Sequence, residues 1–263
     1  MKPLLIALTV VGSVTVLSSG CQRSGQAIAV DNWANSGRDF GRDSGATGVK
    51  QLEEPRPILA IGDSILEWNA GVKKSIPDVI GQTLGRPVVN GAVSGAHLSH
   101  PDSEAAAAGY DIRQQFHQQA GRQDWDWVVM NGGANDLAGA CDRASSGGLV
   151  DEMISADGLA GEIPAFVRQV SATGSKVMYV GYYAMPDSAR FGFNQCNDEI
   201  AAHNDRLARM AEAIDGVWFV SAGAVVSAQD IAAYDDDGVH PSELGSAQIG
   251  RHVAGAVRMA DGE

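Results

Sequence analysis

Residues 57–69 read PILAIGDSILEWN. Four apolar residues run together with no polar alternation and stop at Gly-Asp-Ser. An unbroken apolar run of this length fits a short strand buried on both faces, which is how strands of a parallel sheet look in sequence. The same signature recurs four times downstream, in PVVNG (87–91), WDWVVMNGG (125–133), KVMYVGYY (176–183) and VWFVSA (217–222). Helical patterns lie between and after these runs. Segment 72–85 carries Ile76, Val79, Ile80 and Leu84 on one side, and Pro77 places its start near Ser75. Segment 110–120 has Ile112 and Phe116 four apart, and 163–174 closes at Gly174. Segment 197–216 carries Ile200, Leu207, Met210 and Ile214 in one stripe, and 242–260 has Ile249, Val253 and Val257 four apart. Apolar strands alternating with amphipathic helices predict an α/β fold, a three-layer α/β/α sandwich around a parallel five-stranded sheet.

The rest of the chain sets the boundaries of that domain. The 263 residues, 44% of them hydrophobic, suffice for one full core. The first twenty carry Lys2, an apolar stretch from Leu4 to Leu17 and then small residues, the pattern of a signal peptide. The small residues end at Cys21, as in bacterial lipoprotein signals, where the cysteine is lipidated; Ser18 stands where those signals place Leu. Lipidation at Cys21 and ordinary cleavage are both open. Gln22 in place of Asp favours the outer membrane by the same resemblance, so the expected location is periplasmic or outer-membrane anchored, with secretion as the alternative. Residues 21–55, rich in Gly, Ser, Asp and Asn, read as a flexible tether, and 56–263 as the domain. Acids outnumber bases 32 to 19, a net charge of −13. Such a chain is a poor partner for nucleic acid, and its expected contact with a membrane is through the lipid anchor only. Cys141 and Cys196 form an even pair in an oxidising compartment and predict a disulfide worth about 4 kcal/mol, against the alternative of two buried thiols.

Ligands of open parallel sheets bind beyond the carboxyl ends of the strands. Four segments meet that condition: GDS at 62–64, NGAVSG at 90–95, GGAND at 132–136, and DGVHP at 237–241 before the closing helix. Each is weak alone. A Gly-Asp-Ser turn also caps helices, and the DDDG run fails as a calcium loop because Ala233 occupies an acidic position. Together and in order, over residues 58 to about 260, they resemble the SGNH/GDSL hydrolases, esterases and acyl hydrolases on a flavodoxin-like sheet. The resemblance implies Ser64 as nucleophile, His240 as general base and Asp237 as its orienting carboxylate, with Ser64 N–H, Gly95 N–H and the Asn135 side chain as oxyanion donors. It implies no cofactor and no metal. The residues agree, since a serine hydroxyl needs a base and Asp237 stands three before His240.

Neighbouring residues receive plainer readings. Asp63 and Asp136 are expected to bond backbone within their own loops. His97 and His100 are expected at the mouth of the site, and His117, His203 and His252 on the surface. Trp68 either walls an acyl pocket or simply packs, and Trp125 and Trp127 belong to the core. The implied function is hydrolysis of a small-molecule or polysaccharide ester through an acyl-enzyme, with a short acyl group such as O-acetyl favoured by polar loops. Lysophospholipase or thioesterase action, O-acyl transfer, and a silent envelope-binding lipoprotein are the alternatives. A monomer is the default state.

Overall fold

The computed structural model describes residues 56–98, 108–138, 141 and 146–263. The signal, Cys21, the tether and His100 lie outside the described residues. Strands β1 (Ile58–Ile61), β2 (Val88–Asn90), β3 (Trp127–Met130), β4 (Lys176–Gly181) and β5 (Val217–Ser221) form one sheet in the order β2-β1-β3-β4-β5, every pairing parallel. The five expected strands are all present, each shorter than its apolar run. The runs overshoot at the carboxyl end because their last residues, such as Tyr182 and Tyr183, leave the ladder while staying buried.

The helices are α1 (Ser64–Glu67), α2 (Ile76–Leu84), α3 (Ile112–Ala120), α4 (Ala134–Leu137), α5 (Ser146–Met153), α6 (Glu162–Ser171), α7 (Asn197–Ala213) and α8 (Glu243–Asp261). Ser75 caps α2 in a capping box with Asp78, and Pro77 sits in its first turn, where a missing N–H costs nothing. Helix α1 starts at the Gly-Asp-Ser turn with Asp63 as its cap, whereas α4 and α5 have no counterpart in the expected pattern; α1 and α4 are single turns with no room for an apolar period. Helices α2 and α8 pack together on one face, where Gly250 lets α8 approach Val79 closely. On the other face α3 meets α6 through the edge-to-face pair Phe116–Phe166, and α7 lies against β5. The strands are thus buried on both sides; all of β1 and β3 is inaccessible to solvent. This is the expected three-layer sandwich, and its strand order is the flavodoxin-like one, which reverses between β1 and β3.

The two ends of the sheet differ in chemistry. At the amino ends of the strands Arg86 bridges Asp126 at 2.6 Å and Asp261 at 3.3 Å, and Lys176 also bonds Asp261. The Trp127 indole donates to the same Asp261 carboxylate, at 3.2 Å. These charges fasten the last helix to the sheet on the side away from the candidate site. A disulfide joins Cys141 to Cys196, which caps the start of α7. It ties the segment after α4 to the β4–β5 half of the fold.

Candidate active site

The cleft opens at the reversal point, between the loops that follow β1 and β3. Ser64 opens α1 and is buried, its helix held by the Asp63 carboxylate, which accepts from Ile65 N–H at 3.0 Å. The Gly62–Asp63 turn is clamped from three sides. Gln115 accepts from Gly62 N–H at 2.7 Å and donates back to the Gly62 carbonyl at 2.9 Å. Asn131 accepts from Asp63 N–H at 3.0 Å and donates to the Asp63 carboxylate at 2.7 Å. Tyr182 donates its phenol proton to the other carboxylate oxygen. Burial raises the Asp63 pKa against the opposing pull of these donors, while burial and the adjacent carboxyl push the Tyr182 phenol well up. Asp63 is a turn residue, as expected, but its partners reach across to β3 and β4.

His240 lies on the loop before α8. Its ring Nδ1 stands 2.6 Å from Asp237 Oδ2, and its backbone N–H donates to the other carboxylate oxygen at 2.9 Å. Burial works to raise the Asp237 pKa, but the bonds from the His240 ring and from the His240 and Val239 N–H groups outweigh it and hold the carboxyl below its usual range. Asp237 is therefore the acceptor, Nδ1 carries the proton, and Nε2 is left as the basic nitrogen. His240 forms part of the lining of a cavity of about 220 Å³ with Ser64, Gly95 and Asn135. Its remaining walls are mostly apolar, including Ile65, Trp68, Met185, Phe193 and Val239. Trp68 thus does border the cavity.

The three residues expected to supply oxyanion donors all line this space. Gly95 has φ +79°, a conformation that L side chains rarely adopt, so glycine there satisfies the backbone. Among the described residues no acceptor engages Ser64 N–H or Gly95 N–H. Asn135 donates one amide hydrogen to the Ala96 carbonyl at 2.9 Å, which orients the group and leaves its second hydrogen free to point elsewhere. Asp136 accepts from Leu98 N–H at 3.0 Å, so it fastens the loop after β2 to the loop after β3. His97 stands 3.9 Å from the same carboxylate.

His203 is the clear correction. It is fully buried, not on the surface; His117 is exposed and His252 half-buried. It belongs to the stripe of Ile200, Leu207 and Met210 on α7, a position the spacing itself marks as inward. Its Nε2 lies 3.2 Å from the Gly132 carbonyl, under the loop that carries Asn135, and burial lowers its pKa to about 4. The unfolded chain takes up that proton near 6.5, so stability falls as pH drops from about 6.5 to about 4 and is retained above that window. The gap is worth roughly 3 kcal/mol. A His203→Gln variant is expected to show a flatter fall in denaturation midpoint between pH 7 and pH 4.5 than the parent. Asp63, with a raised pKa, acts in the opposite direction in both proteins and cancels in the comparison. Parallel pH profiles for the two would refute this assignment.

Asn131, Gln115 and Tyr182 were not foreseen as parts of the site. Gln115 had a signal, because it interrupts the buried stripe of Ile112 and Phe116 with a polar group. Tyr182 had one too, since it falls just past the carboxyl end of β4.

A parallel sheet whose switch-point cleft holds a hydroxyl and an imidazole–carboxylate pair, with Gly95 and Asn135 in the same lining, has the layout of a serine hydrolase on an α/β fold. The chain belongs to the GDSL-like lipase/acylhydrolase family, whose model matches residues 60–248. It is accordingly an ester-bond hydrolase. The chain matches no curated protein sequence. Among solved structures it is similar to a carbohydrate acetylesterase family member from Sinorhizobium meliloti, at 19% identity and TM-score 0.57 over 79% of this chain and 100% of that one. It is similar to the M. smegmatis aryl esterase at 20% identity and TM-score 0.51, covering 78% and 99%. A Corynascus thermopiles carbohydrate esterase family 2 enzyme with a carbohydrate binding domain aligns at 18% identity and TM-score 0.55, covering 80% and 67%. At these identities the likeness is one of fold.

Proposed function

We propose that this enzyme hydrolyses esters of short acyl groups, such as O-acetyl, on a polar or carbohydrate carrier, through an acyl-enzyme on Ser64. The observation that carries this reading is the convergence of Ser64, Gly95, Asn135 and His240 on one cavity of about 220 Å³. That volume lies below the roughly 300–1,000 Å³ of pockets that engulf drug-sized ligands. Its apolar walls suit a methyl or short alkyl chain. The likeness to carbohydrate acetylesterases supports the same direction.

The steps follow from the donors and acceptors present. Ser64 Oγ bonds the carbonyl carbon as its proton passes to His240 Nε2, and the carbonyl electron pair moves to oxygen. That oxyanion is met by Ser64 N–H, Gly95 N–H and the Asn135 amide, which are fixed before the charge develops. The carbon–oxygen bond to the alcohol then breaks, and the imidazolium returns its proton to the leaving oxygen. Water repeats the sequence on the acyl-enzyme, giving its proton to His240, and Ser64 leaves as the hydroxyl. Asp237 stays ionised throughout and holds the ring.

The test is turnover of p-nitrophenyl acetate, butyrate, octanoate and palmitate. Acetate is expected to be fastest, and a preference for octanoate or palmitate would contradict the short-acyl reading. In the same assay Asn135→Ala is expected to lower kcat by a factor of about 100 to 1,000 with little change in KM, because its bond forms mainly to the transition state. A loss confined to KM would remove Asn135 from the oxyanion site.

A further inference from the structure

Trp68 follows the last residue of α1, and its backbone N–H closes that turn on the Ser64 carbonyl at 2.8 Å. Its indole lies flat on the His240 imidazole, with ring centroids 3.8 Å apart and planes 6° from parallel. Its Nε1–H donates at 2.7 Å to Asp235, two residues before Asp237 on the loop that carries the base. Asp235 is itself tied to that loop, since its N–H donates to the His240 carbonyl at 2.8 Å. The next residue repeats the connection. Asn69 Nδ2 donates at 3.0 Å both to the Pro241 carbonyl and to Ser246 Oγ on α8. Asn69 takes φ +67°, which asparagine tolerates better than most residues. A packing aromatic needs none of these polar ties.

We propose that Trp68 is a positioning residue that sets the relation between the nucleophile turn and the general base. This rests on the reading of Ser64 and His240 given above. Asp237 fixes the imidazole along its edge, through Nδ1, but leaves the ring able to swing about that bond. The indole removes that freedom by covering one face. It also presents a π-surface to the imidazolium that forms when Ser64 is deprotonated, an attraction absent from the neutral ground state. A displacement of about 1 Å in a reacting group can cost on the order of 100-fold in rate, so the effect belongs in kcat.

The variants Trp68→Leu, Trp68→Phe and Asp235→Ala are compared with the parent and Ser64→Ala on p-nitrophenyl acetate and butyrate. Trp68→Leu is expected to lose about 10- to 100-fold in kcat with KM within about twofold on both esters, while Trp68→Phe keeps the stack and stays within about threefold of the parent. Asp235→Ala, on an exposed loop, frees the indole and is expected to lose about three- to tenfold in kcat. A merely pocket-lining Trp68 would change KM and the acetate-to-butyrate preference at unchanged kcat, and that result overturns the proposal. So does a Phe variant as slow as the Leu variant. Should Trp68→Leu fail to fold, as read by circular dichroism, unchanged kcat in Asp235→Ala overturns it instead. Turnover that survives in Ser64→Ala would count against the Ser64 reading, whereas Ser64-dependent turnover indifferent to these variants sinks only the role of Trp68.

Discussion

Ser64→Ala, His240→Ala and the double variant are expected to lose almost the same activity, roughly four to six orders of magnitude in kcat. The losses are expected not to add because the proposed mechanism uses both residues as one unit. With no hydroxyl there is nothing for the imidazole to deprotonate, and with no imidazole the hydroxyl is too weak a nucleophile at neutral pH. Asp237→Ala should cost one or two orders less, since it removes the partner at 2.6 Å that orients the ring while leaving nucleophile and base in place. Circular dichroism and melting temperature should stay close to the parent for Ser64→Ala, because that change deletes one oxygen at the edge of a cavity. Steady-state kinetics on p-nitrophenyl acetate check the ordering. Equal and independent losses that multiply in the double variant would show that Ser64 and His240 do not cooperate.

The largest expected effect on stability comes from Gly62→Ala. Gly62 has φ +148°, and a Cβ built there would fall 1.8 Å from Asn131 Oδ1. Asn131 cannot retreat without releasing both of its bonds to Asp63, and the Gly62 carbonyl is held besides by Val93 N–H at 3.0 Å. Backbone strain and overpacking together are expected to cost on the order of 3–5 kcal/mol. For a domain of about 200 residues this corresponds to a fall in Tm of roughly 6–20 °C, read by thermal denaturation. Activity should fall with it even where the fold survives, because Asp63 and the start of α1 would shift. A variant with unchanged Tm would mean that the turn is looser than its hydrogen bonds imply.

The layered fold was legible because parallel strands buried on both faces leave unbroken apolar runs, and because Ser75, Pro77 and the stripes of α2, α7 and α8 follow local rules. Strand order is not written in any one run; it came through the family resemblance, with the four short blocks as its carriers. Those blocks also named Ser64, Gly95, Asn135, Asp237 and His240, which the structure gathers at one cleft or, for Asp237, directly behind it. What local reasoning missed was the layer beneath. The bond from Leu98 N–H to Asp136 spans 38 residues, and no local pattern announces it. His203 was placed outside because histidine is polar, although its position on α7 was that of a core residue. Gln115, Asn131 and Tyr182 form bonds across 53, 68 and 119 residues, and no pattern within a single element announces such distances.

The central claim is that Ser64 is the group that becomes acylated. The direct measurement is the reaction of the native protein with a fluorophosphonate, followed by intact-mass and peptide mass spectrometry. One adduct per chain on Ser64 is predicted, with loss of esterase activity in proportion to labelling, no adduct in Ser64→Ala, and much slower labelling in His240→Ala. An adduct on another residue, or an active enzyme after full labelling of Ser64, would contradict it.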